Sequence, residues 1–294
     1  MKSTRDINAA NVDKDIESLI DFSSYDIQTL MQEHDLSKEE VIKYYNLIES
    51  YLLDKKVCDR CPGLSMCPKA DQYIQATLEK KDGELTRKVG YCTPYREKLK
   101  VDSLFLLRDY PEEFSNVVAS SLTKTKRVMS LFKSLADTRQ NETKPFLYVH
   151  GQLGSGRTYL LSAYANTFIQ SGRTAAFMDC NTRIDELKSM TISDKAQFER
   201  AIKALCECDL LILDEFGNWY LSEYTIANVL YPLIAYRAKN KKFTVISSDY
   251  SLSDVAFTFG DTQSAKVRGK QVISLIKSAL NEEVVVQKGV EQKL

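Results

Sequence analysis

Histidine is almost missing: the 294 residues hold two, His34 and His150. Neither has a catalytic partner nearby in the sequence, so a histidine-based triad has no support. No apolar run approaches the roughly 18 residues that a membrane span needs, and a membrane partner is not expected. Met1 to Ile20 is charged and lacks the apolar core of a signal peptide, so a cytoplasmic location is expected. Net charge is absent as well, with 40 basic residues against 40 acidic ones. That balance excludes a strongly basic nucleic-acid coat and leaves room for a local basic groove. There is no internal repeat and no low-complexity tract.

What is present is ordinary for a soluble protein with a core: 44% hydrophobic and 27% charged residues. The length suits two modest domains. Charge is uneven along the chain. Met1–Asp54 has a net of −7, Lys55–Lys100 a net of +5, and the remainder is close to balance. The expected division is a helical first domain over 1–100, a linker over 101–122 broken by Pro111, and a second domain over 123–294.

In the first domain, Ile27, Leu30 and Met31 follow helical spacing. Ser37-Lys38-Glu39-Glu40 has the form of a capping box. The helix it opens carries Val41, Tyr44, Tyr45, Leu47, Ile48, Tyr51 and Leu52 on a broad apolar face. That face suits a small helical core or a partner helix. Four of the seven cysteines sit together as Cys58-x2-Cys61-x5-Cys67-x24-Cys92. Thiolates two residues apart can grip one metal ion from a tight turn, and two later cysteines complete a tetrahedron. Structural Zn2+ is the expectation. Unligated thiols and a redox pair are the alternatives. Cys180, Cys206 and Cys208 read as small buried residues.

From Lys144 onward strands and helices alternate, which predicts a parallel sheet covered by helices. Gly151-Gln152-Leu153-Gly154-Ser155-Gly156-Arg157-Thr158 follows the apolar strand Phe146–Val149 and opens a helix. This is the phosphate-loop layout with Arg where Lys is expected. Glycines let backbone N–H groups turn toward phosphate, and the helix N-terminus adds free donors. Thr158 would hold Mg2+ through its hydroxyl. Leu210–Leu213 reads as a buried strand ending in Asp214 and Glu215, at the edge where open α/β sheets bind ligands. Asp214 would assist the Mg2+, and Glu215 would orient water. Phe243–Ser247 is a further strand, leading to Asp249. Arg237–Lys242 is the densest basic run, suited to a solvated helix end or a phosphate-tracking surface. Trp219 and Tyr220 are candidates for loop packing or base stacking.

These motifs resemble the bacterial helicase loaders and, more widely, the IstB-like ATPases. The resemblance rests on the four-cysteine spacing, on Leu210–Gly217 followed by Tyr224–Arg237, on Phe243–Tyr250 and, more weakly, on Arg108–Phe114. It implies an AAA+ P-loop domain of α/β type behind a mainly helical, zinc-binding domain. It also implies ATP and Mg2+ as cofactors, contact with a replicative DNA helicase through the first domain, single-stranded DNA contact through the second, and other primosome proteins as partners. A homo-oligomer on the helicase ring belongs to the same picture.

Three departures stand out. Arg157 replaces the loop lysine, a planar fork in place of a compact charge. Asp249 stands at the sensor position where loaders usually have Asn, adding a carboxylate toward the γ-phosphate. Ala265–Val272 fits the arginine-finger region poorly, with Arg268 the one arginine there. Slow or lost hydrolysis is the expectation. The alternative function is a non-hydrolysing adaptor of the same fold, its nucleotide site vestigial. A transposition ATPase of the IstB type fits the cysteine-containing first domain less well.

Overall fold

The computed structural model describes residues 14–218, 223–260 and 262–288. The chain divides into two compact units, Met1–Lys100 and Val101–Leu294.

The first unit opens with helices α1 (Tyr25–Glu33), α2 (Lys38–Lys43) and α3 (Tyr45–Asp59). The Ser37 hydroxyl accepts from the Glu40 amide while the Glu40 carboxylate accepts from the Ser37 amide, a complete capping box at α2. After α3 the chain departs from the helical expectation and forms a hairpin, β1 (Ile74–Lys81) and β2 (Glu84–Tyr91), paired antiparallel. Its turn is Asp82-Gly83, both with positive φ (53° and 80°), the backbone that a two-residue hairpin turn demands. Leu78 and Leu85 are buried against Ile27, Leu30, Val41 and Ile48 of the helices. Most other hairpin residues are exposed, and Glu79, Lys81, Glu84, Arg87 and Lys88 among them are charged, which hid the strands in a sequence read for apolar runs. Helix α4 (Thr93–Asp102) follows.

The second unit holds one parallel sheet of six strands in the order β3-β5-β6-β7-β4-β8. In chain order they are β3 (Phe105–Arg108), β4 (Phe146–His150), β5 (Ala175–Asp179), β6 (Leu210–Asp214), β7 (Phe243–Ser248) and β8 (Leu280–Val285). Between them run α5 (Lys126–Gln140), α6 (Arg157–Ile169), α7 (Cys180–Ser193), α8 (Lys195–Glu207), α9 (Tyr231–Lys239) and α10 (Gln263–Ala279). Side-chain alternation splits the core into two layers, one on each sheet face. Phe146, Tyr148, Leu211 and Leu213 join one cluster, whereas Leu147, Val149, Leu210 and Ile212 join the other. A single π-helical turn, Ile226–Leu230, leads into α9.

The stretch 101–122 is not a free linker. Its β3 is the edge strand, parallel to β5. The Tyr110 hydroxyl donates to Asn166 Oδ1 at 2.5 Å, and Asn166 Nδ2 donates to the Phe114 and Val117 carbonyls. Burial pushes the Tyr110 hydroxyl up to about 12. A four-residue edge strand with Leu106 facing solvent carries little of the apolar density that marks its neighbours.

Candidate nucleotide site

The site grows from the C-terminal ends of β4, β6 and β7. Beyond β4 the chain must turn sharply and start α6, and Gly154 (φ 77°) and Gly156 (φ 84°) supply the left-handed backbone. Gly156 is the N-cap of α6 and offers no side-chain cap, so the first amides of the helix are left to an external acceptor. A Cβ at Gly156 would meet nothing within 4 Å, so the cradle is open there. Ser155 is buried beneath it.

The Thr158 hydroxyl donates to Asp214 Oδ2 at 2.6 Å, joining the loop to the end of β6. Asp214 is 2% exposed, and its other oxygen, Oδ1, has no hydrogen-bond partner. Burial raises its carboxyl above the ordinary range, against the lowering pull of hydrogen bonds and of Arg157. An orphaned buried oxygen beside a threonine hydroxyl fits a hydrated Mg2+, whose charge would offset that burial. Glu215 follows in a left-handed conformation (φ 55°) that swings its carboxylate back over the strand ends. Its pKa is raised by burial first, then by Asp214 and Asp249.

Arg157 lies folded under the loop. It is 4% exposed, and Nη1 donates to the carbonyls of Gly151 and Gln152. Nε donates to Ser247 Oγ at 3.2 Å. Nη2 pairs with Asp249 Oδ1 at 2.5 Å and stands 3.5 Å from Glu215 Oε1. The two departures in the sequence are therefore one ion pair: the fork replaces lysine where the carboxylate replaces asparagine. The repulsion expected of Asp249 is met inside the protein.

Asn218 completes the cluster. Its Nδ2 donates to Glu215 Oε2 and to Asp249 Oδ2 (3.0 Å). Sequence reasoning missed this role, although its place three residues beyond Glu215 was the available signal. Trp219 and Tyr220 lie outside the described residues. Arg268 is exposed on α10 and reaches Gln271.

Arg237 leaves the basic run altogether. It is fully buried and donates to the carbonyls of Leu205, Cys206, Cys208 and Phe243 and to Thr244 Oγ1. It ties the C-terminal end of α8 to β7, where helix carbonyls attract a cation. Any phosphate-tracking surface there must rest on Lys239, Lys241 and Lys242.

In the first unit, Cys58, Cys61, Cys67 and Cys92 line one cavity of about 220 Å3. The Lys69 ammonium sits 3.6 Å from Cys58 Sγ and 2.5 Å from Asp54 Oδ1. Among the described residues, no three His, Cys, Asp or Glu side chains converge closely enough to hold a metal ion. The expected Zn2+ site thus has its ligands gathered in one pocket but not focused on one point. No helix among the described residues is long and apolar enough to cross a membrane.

A glycine loop after a central parallel strand, closed against an acid at the end of a second strand, defines a P-loop α/β domain of the AAA+ kind. Within that class the chain belongs to the IstB-like ATP binding protein family, whose model matches residues 98–267. It is similar to the replicative helicase loader DnaI of Bacillus subtilis, 20% identical over 269 residues, covering 87% of this chain and 85% of that one. It also matches an uncharacterized protein of Haemophilus influenzae at 28% identity over 148 residues, 48% of this chain and 54% of that one, so it spans about half of that relative. The crystal structure of DnaI superposes with a TM-score of 0.50 at 20% identity, covering 65% of this chain and 98% of that chain, and shares the fold.

Proposed function

We propose that this chain is a helicase loader of DNA replication whose P-loop domain holds ATP and Mg2+ and whose first unit docks on the replicative helicase. The observation that carries the nucleotide half is the 2.6 Å contact between Thr158 and Asp214 beside an unpartnered Asp214 oxygen. The helicase half is supported by the match to a loader along most of both chains.

Gly151, Gly154, Ser155, Gly156 and Thr158 would hold the phosphates, with Arg157 bracing the loop from below. Thr158 and Asp214 would hold the Mg2+, which when bound supplies charge neutralisation to the phosphates. Glu215 would orient water and Asp249 would stand at the sensor position. Single-stranded DNA, other primosome proteins and further copies of the chain on the helicase ring are the partners this reading entails. In the cysteine pocket, Cys58, Cys61, Cys67 and Cys92 would close on one Zn2+ if Lys69 swings away. Metal analysis then finds one zinc per chain, lost in Cys58→Ser. A folded, metal-free protein would reject it.

The test is co-purification with the replicative helicase, nucleotide analysis of the complex, and ATP turnover with and without single-stranded DNA. A chain that never associates with the helicase sinks the loader reading. The second reading, a non-hydrolysing adaptor, is favoured by one feature: Arg157 and Asn218 already engage Glu215, the group that would orient water. Nucleotide bound without turnover, in the wild type and in Arg157→Lys, selects the adaptor.

A further inference from the structure

Arg157 is spent on the protein's own carbonyls and carboxylates, and another cation stands over the loop. The chain leaving β8 passes directly across the phosphate loop. The Val286 amide donates to the His150 carbonyl at 2.7 Å, and Val286 is buried. The approach is so close that a Cβ on Gly151 would collide with the Val286 carbonyl oxygen. One guanidinium nitrogen of Arg127, Nη1, donates to the Gln287 carbonyl at 2.7 Å and to the Ser155 carbonyl at 3.0 Å, pinning tail and loop together. These contacts deliver Lys288 to the loop's outer side. A Cβ placed on Gly154 would lie 3.2 Å from Lys288 Cε and 3.7 Å from Nζ.

His150, Gly151, Gln152, Asp249 and Lys288 line one cavity of about 310 Å3. Lys288 is exposed, and among the described residues it makes no ion pair. Its charge is therefore available to a ligand, whereas that of Arg157 is not.

We propose that Lys288 is the phosphate-binding cation of this site, reaching a nucleotide polyphosphate from the strand beyond the loop in place of the loop's own basic residue. This rests on the nucleotide reading above and adds a specificity residue to it. The division of labour is physical. A flexible ammonium on an anchored backbone can follow an anion, while a guanidinium held by two carbonyls and two carboxylates cannot. Specificity follows from phosphate count. A cation placed at the loop's outer side favours ATP and ADP and is indifferent to AMP.

The experiment measures ATP, ADP and AMP binding to the full chain by calorimetry in Mg2+, for wild type, Lys288→Gln and Lys288→Arg. The expected result is that Lys288→Gln weakens ATP and ADP about tenfold, leaves AMP unchanged and flattens the salt dependence, while Lys288→Arg restores binding. Unaltered ATP affinity in Lys288→Gln overturns the role of Lys288 and leaves the nucleotide site standing. Equal losses for all three nucleotides also overturn it, because the residue would then act on the loop's shape. A wild type that binds no nucleotide overturns both readings.

Discussion

The Arg157 guanidinium and the Asp249 carboxylate form a 2.5 Å ion pair that closes the loop-to-β7 side of the cleft. Arg157 is 4% exposed, so removing its partners or its charge is felt in the interior. Arg157→Met leaves Asp249 and Glu215 facing each other with only the Asn218 amide between them, and should cost about 3 kcal/mol. Asp249→Asn costs less, since Glu215 still faces the fork. The double variant is expected to recover about 1–3 kcal/mol relative to the sum of the singles. Urea unfolding of the four proteins measures it, and strict additivity would show the pair to be incidental.

Under the ATPase reading, the same coupling bears on turnover. Arg157→Lys alone leaves Asp249 beside a shorter cation, with the fork's second contact gone. Combined with Asp249→Asn it rebuilds the lysine–amide arrangement usual in loaders. ATP turnover should rise more in the double variant than in Arg157→Lys. Turnover at wild-type level in both would separate the pair from hydrolysis.

Asp214 gives a pH prediction. Burial raises its carboxyl above the ordinary value of 3.8, so the folded chain holds that proton more tightly than the unfolded one. Below 3.8 the carboxyl is neutral in both states and costs nothing. As pH climbs through the raised folded value, the buried charge lowers stability. Asp214→Asn removes that cost, so its advantage over wild type should be near zero at about pH 4 and larger at neutral pH. Thermal melts without Mg2+ at the two pH values check the trend, and a constant offset would contradict it.

Arg237 is a test of structure against DNA binding. It is 0% exposed, its partners are four carbonyl oxygens, the Thr244 hydroxyl and the Cys208 sulfur, and burial lowers its pKa. Arg237→Met strands those carbonyls and should cost about 3–5 kcal/mol, read as a large drop in melting temperature. Lys241→Gln, on the exposed end of the same run, should leave stability within about 0.5 kcal/mol. Equal effects would contradict the burial argument.

Gly151 tests the tail. Its φ needs no glycine, so a methyl group acts mainly through the Val286 carbonyl, with the Ser155 hydroxyl 3.1 Å away as the second contact. Gly151→Ala should free the Val286 amide to exchange with deuterium, at a cost of about 1–2 kcal/mol. Unchanged protection of Val286 would show that the contact yields without loss.

The sheet was legible because its strands are short apolar runs, Phe146–Val149 and Leu210–Leu213, that leave helices no other face to cover. Thr158 and Asp214 were legible because loop and strand follow a fixed chemistry of glycines and acids. The hairpin was not, since Glu79, Lys80, Lys81 and Arg87 interrupt the apolar alternation that marks a strand and leave only the Asp82-Gly83 pair as a turn signal. The Arg157–Asp249 pair was not, because it joins positions 92 residues apart, and each residue read alone looks like a defect. Lys288 carries no motif. Its place is set by Val286 and Arg127, contacts that no local pattern encodes.

The segment leaving β8 lies across the loop it is pinned to. A dye or affinity label carried on residue 288 itself would therefore sit beside Gly154, where it would report occupancy but also compete for entry.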